Sequence, residues 1–229
     1  EAITQFQAQA YKELLPPGGP VNTQILGQIT TQKEEQAQRV KDFMNYQITY
    51  NMEEYDPDLD SLLFYLPLSG SAFKKVYYDE ALERAVSKFI PSDDLYVPYQ
   101  TTDFPSCERV THVIKRTENE IRKLQVAGLY RDVDLQASTT ETGLQEKEDR
   151  IAGIKKSYQQ DNYSLLEMHV DLNIEGIDSE DGIKVPYIVT IDEGSSNVLS
   201  IYRNYDEQDE RKGKIQYFVH YKFLPGLGF

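Results

Sequence analysis

Apolar positions change their period along the chain, and the changes mark the elements. Ile3, Phe6, Ala10 and Leu14 recur at spacings of three and four, the single stripe of an amphipathic helix over residues 1–15. Leu15-Pro16-Pro17-Gly18-Gly19-Pro20 ends it, because proline removes backbone donors and fixes φ while glycine opens positive φ. Thr31 and Glu34 have the spacing of a capping box and predict a second helix running to about Glu54. Ala37, Val40, Phe43, Met44, Ile48 and Met52 form one of its faces. Asp58 is expected to cap a short helix through Leu62 to Leu66. After Ser69-Gly70-Ser71 the pattern turns to strands over 72–78, 85–90, 95–97 and 109–115, a small twisted sheet or barrel. Thr117 and Glu120 make a second capping box, opening a helix with Ile121, Leu124 and Val126 that should stop at Gly128.

The downstream half divides into a polar arm and a β module. From Asp132 to Asp161 the chain is rich in Gln, Thr, Ser, Glu and Lys, with Gly143 and Gly153 interrupting any helix, and reads as a linker or solvated helical arm. Leu166, Met168, Val170, Leu172 and Ile174 then alternate with Glu167, His169, Asp171, Asn173 and Glu175, predicting a strand with one buried and one wet face. Segments 183–192 and 198–203 flank a hairpin signal at Glu193-Gly194-Ser195-Ser196. Ile215, Tyr217, Val219, Tyr221 and Phe223 alternate on a fourth strand. The expected class is α+β: a helical and β region over 1–131, the arm over 132–162, and an antiparallel four-stranded module over 163–229.

Composition narrows the chemistry. With 24 Lys+Arg against 38 Asp+Glu the net charge is −14, which opposes tight groove binding to nucleic acid because that affinity comes from neutralising phosphates. A surface that lets DNA pass without holding it has the opposite requirement, and negative charge serves it. A single cysteine, Cys107, excludes an intrachain disulfide framework and any multi-thiolate zinc site. The longest apolar stretches, 62–68 and 188–191, fall far short of the ~20 residues of a membrane-spanning helix. The first residues carry neither an initiator Met nor a signal-like apolar run, and the last form a glycine-rich turn directly after a strand, so both ends read as boundaries within a longer protein.

No catalytic, cofactor or metal site is expected. Asp56, Asp58 and Asp60 alternate like a calcium loop, but the sixth and twelfth positions are Ser61 and Pro67 where Gly and Glu are needed. Cys107 and His112 are an odd number apart, which on a continuous strand places them on opposite faces. His169 falls on a polar strand face and His220 in the register opposite Tyr217 and Tyr221, positions of solvated or sheet-packing residues. Lys74-Lys75, Lys155-Lys156 and Arg211-Lys212 with Lys214 read as solubilising surface. Gly226-Leu227-Gly228 lacks the third glycine of a dinucleotide loop. The 17 Tyr suit sheet packing and protein interfaces, each burying a ring while keeping a polar tip.

Phe43-Met44-Asn45-Tyr46-Gln47, residues 62–78 (LLFYLPLSGSAFKKVYY), Thr111-His112-Val113, Glu120-Ile121-Arg122-Lys123-Leu124, residues 185–191 (VPYIVTI) and residues 217–229 (YFVHYKFLPGLGF) stand out as whole phrases. Together they resemble portal proteins of tailed bacteriophages, in the branch of short-tailed phages of enteric bacteria. The resemblance covers most of the chain except 132–162 and 203–214. It implies a non-enzymatic structural subunit of a ring, usually dodecameric, at one capsid vertex of the virion, assembled in the host cytoplasm. Capsid, packaging motor and tail adaptor proteins would be its partners, with double-stranded DNA passing through unread and no membrane involved. The fragment would correspond to the wing, with the stem and clip, stopping before the downstream helices that include the channel-facing parts. Two other readings stand beside it: a protein-binding adaptor module of a phage or bacterial assembly without a conduit role, and a carboxylate-dependent hydrolase.

Overall fold

A computed structural model describes residues 1–79, 82–101, 103–135, 162–178 and 181–223. The chain forms two compact units, residues 1–93 with 216–229 and residues 94–215. These differ from the boundaries at 131 and 163 suggested by composition. The class is mixed α+β, with two antiparallel sheets of three and five strands.

In the first unit, α1 (Ala2–Leu14) lays Phe6, Ala10 and Tyr11, with Leu15 beyond it, against a core of Leu59, Leu62, Leu63, Leu66 and Ala72. The four leucines belong to α3 (Tyr55–Ser69). This helix starts a turn earlier than Asp58 because Pro57 fits the first turn, where its missing N–H costs no helical bond. Asp58 is therefore not the cap; its Oδ2 accepts from the Phe89 N–H at 2.7 Å. Gly70 closes α3 at φ 75°, the left-handed conformation of a helix stop. Strand β1 (Ser71–Asp79) lies between β2 (Arg84–Pro91) and β8 (Phe218–Lys222). The expected fourth strand of the C-terminal module is thus paired with β1, from Ser71↔Lys222 to Lys75↔Phe218. Alternation specified its strand character but not its neighbour.

Between α1 and α3 runs α2 (Thr31–Tyr46), continued by a π-helical turn over Gln47–Asn51. Thr30, one residue before the expected cap, takes the N-cap position, its hydroxyl accepting from the Lys33 N–H at 3.4 Å. Asn45 pins the proline-rich turn to this helix: its Oδ1 accepts from the Val21 N–H at 2.9 Å and its Nδ2 donates to the Val21 carbonyl at 3.1 Å. Gly19 is required beside it, at φ 90°, since a Cβ there would sit 2.4 Å from Asn45 Oδ1.

The second unit orders its strands β3-β4-β5-β6-β7: Leu95–Tyr96, Arg109–Thr117, Asn162–Leu172, Val185–Asp192 and Val198–Arg203. The place expected for the fourth strand of the module is filled by β4, whose Arg109 to Thr117 pair with Val170 to Asn162. Met168, Val170 and Leu172 of β5 share one face with Val185, Tyr187 and Val189 of β6, joined by Ile174, Ile191 and Val198. The opposite face is covered too. Helix α4 (Glu118–Val126) brings Ile121 onto Leu165 and Leu199, with Tyr130, Val133 and Leu135 packed around them. Its capping box forms as expected, Thr117 Oγ1 accepting from Glu120 N–H and Glu120 Oε2 from Thr117 N–H. Apart from 132–135 and Asn162, the polar arm lies outside the described residues.

Candidate functional site

The three aspartates that imitate a calcium loop spend their oxygens separately within the first unit. Asp56 accepts from the Tyr11 hydroxyl, Asp58 from the Phe89 N–H, and Asp60 Oδ1 from Gln7 Nε2 at 2.6 Å. Among the described residues no group of three or more His, Cys, Asp or Glu side chains is arranged to hold a metal ion. Cys107 is buried ahead of β4, so strand alternation does not govern it; its Sγ donates to the Arg109 carbonyl at 2.8 Å. His112, within β4, lies across from Glu167 and Leu95.

The two remaining histidines are packing residues. His169 is 1% exposed, contrary to a solvated position, and its Nε2 shares a 2.8 Å hydrogen bond with Glu167 Oε1. His220 stacks on Phe73 with ring centroids 4.5 Å apart, and its Nε2 meets Ser71 Oγ at 2.7 Å. Burial, helped by the neighbouring Lys222 charge, pushes its pKa down to about 4.

Lys74 overturns the surface reading of the Lys74-Lys75 pair. It is 2% exposed, because alternation along β1 turns Ala72 and Lys74 toward α3. Its ammonium lies 4.1 Å from the centre of the Tyr55 ring, and among the described residues it has no hydrogen-bond partner. Burial lowers its pKa, against the attraction of Asp58 and Glu54. Glu54, just ahead of α3, accepts from Arg84 Nη1 at 2.9 Å and from the Ser87 N–H at 3.2 Å. Burial works to raise the Glu54 carboxyl, but its own backbone N–H, Arg84 and the Ser87 N–H together hold it below the usual range. The cluster joins the start of α3 to β1 and β2 and encloses its lysine.

Of the other basic clusters, Lys155-Lys156 lies outside the described residues, and Lys214 donates to the Cys107 carbonyl at 2.9 Å. Lys212 and Arg203 line a shallow cleft of about 290 Å³ with Ile177, Asp178, Tyr205 and Glu207. Its two cations face two carboxylates, so it has no net attraction for either sign of ligand.

Among the described residues, α2 and its π-helical turn present an exposed apolar surface, with no residue buried. Val40, Phe43, Met44, Tyr46 and Tyr50 lie along it, with Phe43 63% and Tyr50 76% exposed. Tyr46 and Tyr50 stack on each other at 5.8 Å. Periodicity marked these residues as apolar, yet nothing in the pattern distinguished a face that packs within the chain from one that does not. No helix among the described residues is long and apolar enough to cross a membrane. No protein-family model matches the chain, and a search of curated proteins finds no match.

Proposed function

We propose that this chain is a structural, non-enzymatic fragment of a phage portal ring, the conduit through which DNA enters and leaves the capsid. The observation that carries the assembly part of this reading is the α2 surface: five large side chains, Val40, Phe43, Met44, Tyr46 and Tyr50, stand exposed on one helix. Water contact at each forfeits burial energy on the order of 1 kcal/mol or more, which a neighbouring subunit recovers. The resemblance of its phrases to portal proteins supports the choice of assembly, and the charge of −14 suits a conduit that DNA must traverse without sticking. In this reading capsid, packaging motor and tail adaptor proteins dock on the ring.

Electron microscopy of the full-length protein tests the reading. Rings with a central channel are expected. Compact monomers or dimers at high concentration refute it. Phe43→Asp with Tyr50→Asp should prevent ring formation while leaving the melting temperature of the subunit unchanged, because neither side chain is part of a core.

A further inference from the structure

Side chains occupy several backbone groups on the outer edge of β2. Among the described residues β2 is the terminal strand of the three-stranded sheet, pairing with β1 on one side only. On the other side, backbone groups two residues apart should stand unpaired, the usual template for a foreign strand. Here the Ser87 N–H donates to Glu54 Oε1 at 3.2 Å and the Phe89 N–H to Asp58 Oδ2 at 2.7 Å. The Ala85 carbonyl accepts from Arg84 Nη1 at 3.4 Å, and Pro91, next in the same register, has no N–H to offer. Glu54 and Asp58 are four residues apart and so lie on one side of the start of α3, about one helical rise of 6 Å, which approximates the spacing of alternate N–H groups along a strand.

We propose that Glu54 and Asp58 are an edge guard: their carboxylates take the place of a neighbouring strand's carbonyls and keep β2 from pairing with the β2 edge of a second copy. Leu59, Leu62, Leu63 and Leu66 pack α3 into the core, and the two carboxylates, besides joining the start of α3 to β2, occupy edge N–H groups that a foreign strand would otherwise bind. The inference does not depend on the portal reading, because it concerns a contact that the guard prevents, whatever assembly the protein forms.

The test is Glu54→Ala with Asp58→Ala in the 229-residue chain, followed by sedimentation velocity and amide hydrogen exchange. The expected result is association beyond the wild-type species, rising with concentration, together with at least tenfold faster exchange at Ser87 and Phe89 in dilute samples. An added Lys88→Cys, at an exposed position of β2, should then cross-link two copies through this edge. A folded double variant that keeps the wild-type size at every concentration overturns the proposal. Should the double variant fail to fold, exchange in the wild-type chain decides: protection of the Ser87 and Phe89 amides matching that of β1 amides supports the guard, and exchange as fast as in an unstructured peptide refutes it.

Discussion

Lys74 separates what a buried side chain contributes through its stem from what it contributes through its charge. The stem crosses the apolar layer between β1 and α3, while the ammonium sits over the Tyr55 ring and, among the described residues, has no hydrogen bond. Lys74→Ala removes the stem carbons beyond Cβ, about three methylenes at ~0.8 kcal/mol each, and the remaining cavity brings the cost to about 3 kcal/mol. Lys74→Met keeps nearly the same volume and removes only the charge. Its loss forfeits a cation–π contact of up to ~2 kcal/mol and the attraction of Glu54 and Asp58, but it also removes the desolvation cost of an enclosed ammonium, several kcal/mol in general. The carboxylates retain Arg84 and the Ser87 and Phe89 N–H groups. Lys74→Met is therefore expected within about 1 kcal/mol of wild type, neutral or stabilising.

Urea unfolding followed by Tyr fluorescence and far-UV circular dichroism measures both variants, with coincident curves as the check on a single transition. A loss of 3 kcal/mol or more in Lys74→Met at unchanged m would show the ammonium to be a net stabiliser and refute the reasoning. Equal losses in the Met and Ala variants would refute the packing of the stem. The pH dependence has a definite sign. Burial lowers the folded-state pKa of Lys74 below its ordinary value of 10.5, so its contribution is present above 10.5 and is lost as pH falls through the folded value. The stability of wild type relative to Lys74→Met should accordingly improve as pH is raised toward 10.5.

Three further outcomes are expected. His220, with a folded pKa of about 4 against 6.5, contributes stability above 6.5 that is lost as pH falls toward 4; the loss is on the order of 1–2 kcal/mol after allowance for its partial exposure, and His220→Gln should flatten that part of the pH–stability curve. Thr117→Ala removes the hydroxyl that accepts from Glu120 N–H and should cost about 1 kcal/mol, whereas Thr117→Ser should cost less than half of that in the same melts. Val170→Asp places a carboxylate among Met168, Leu172, Val185 and Tyr187 and should cost about 3 kcal/mol or more, while Asp171→Asn, which relieves a carboxyl whose pKa burial raises, should be neutral or slightly stabilising; equal tolerance in thermal melts would refute the register of β5.

Period-two alternation was enough to locate β5 and β8, because only a strand keeps Leu166, Met168, Val170 and Leu172 on one side. The same pattern is silent on partnership. Tyr217, Val219 and Tyr221 alternate just as well beside β1 as beside β7, and the choice rests on contacts between residues some 150 apart in sequence, such as Ser71↔Lys222. Alternation was also read as one dry and one wet face of β5, yet Ile121 of α4 packs on Leu165 of the second face, and His169 on that face is enclosed. Lys74 was within reach of the sequence: in a strand that turns Ala72 and Val76 to one side, adjacent lysines cannot both share a face, so the pair could never have been a uniform basic surface. Pro57 was a further overlooked signal, since Asp56-Pro57-Asp58 suits a first helical turn better than a cap at Asp58. Once the helix begins at Tyr55, Glu54 and Asp58 align beside β2, and acidic residues that composition assigns to a solvated surface become hydrogen-bond acceptors for Ser87 and Phe89. The chemistry of those carboxylates was visible in the sequence; their function as strand-edge acceptors arises only when a helix start and a sheet edge, some thirty residues apart, are brought together.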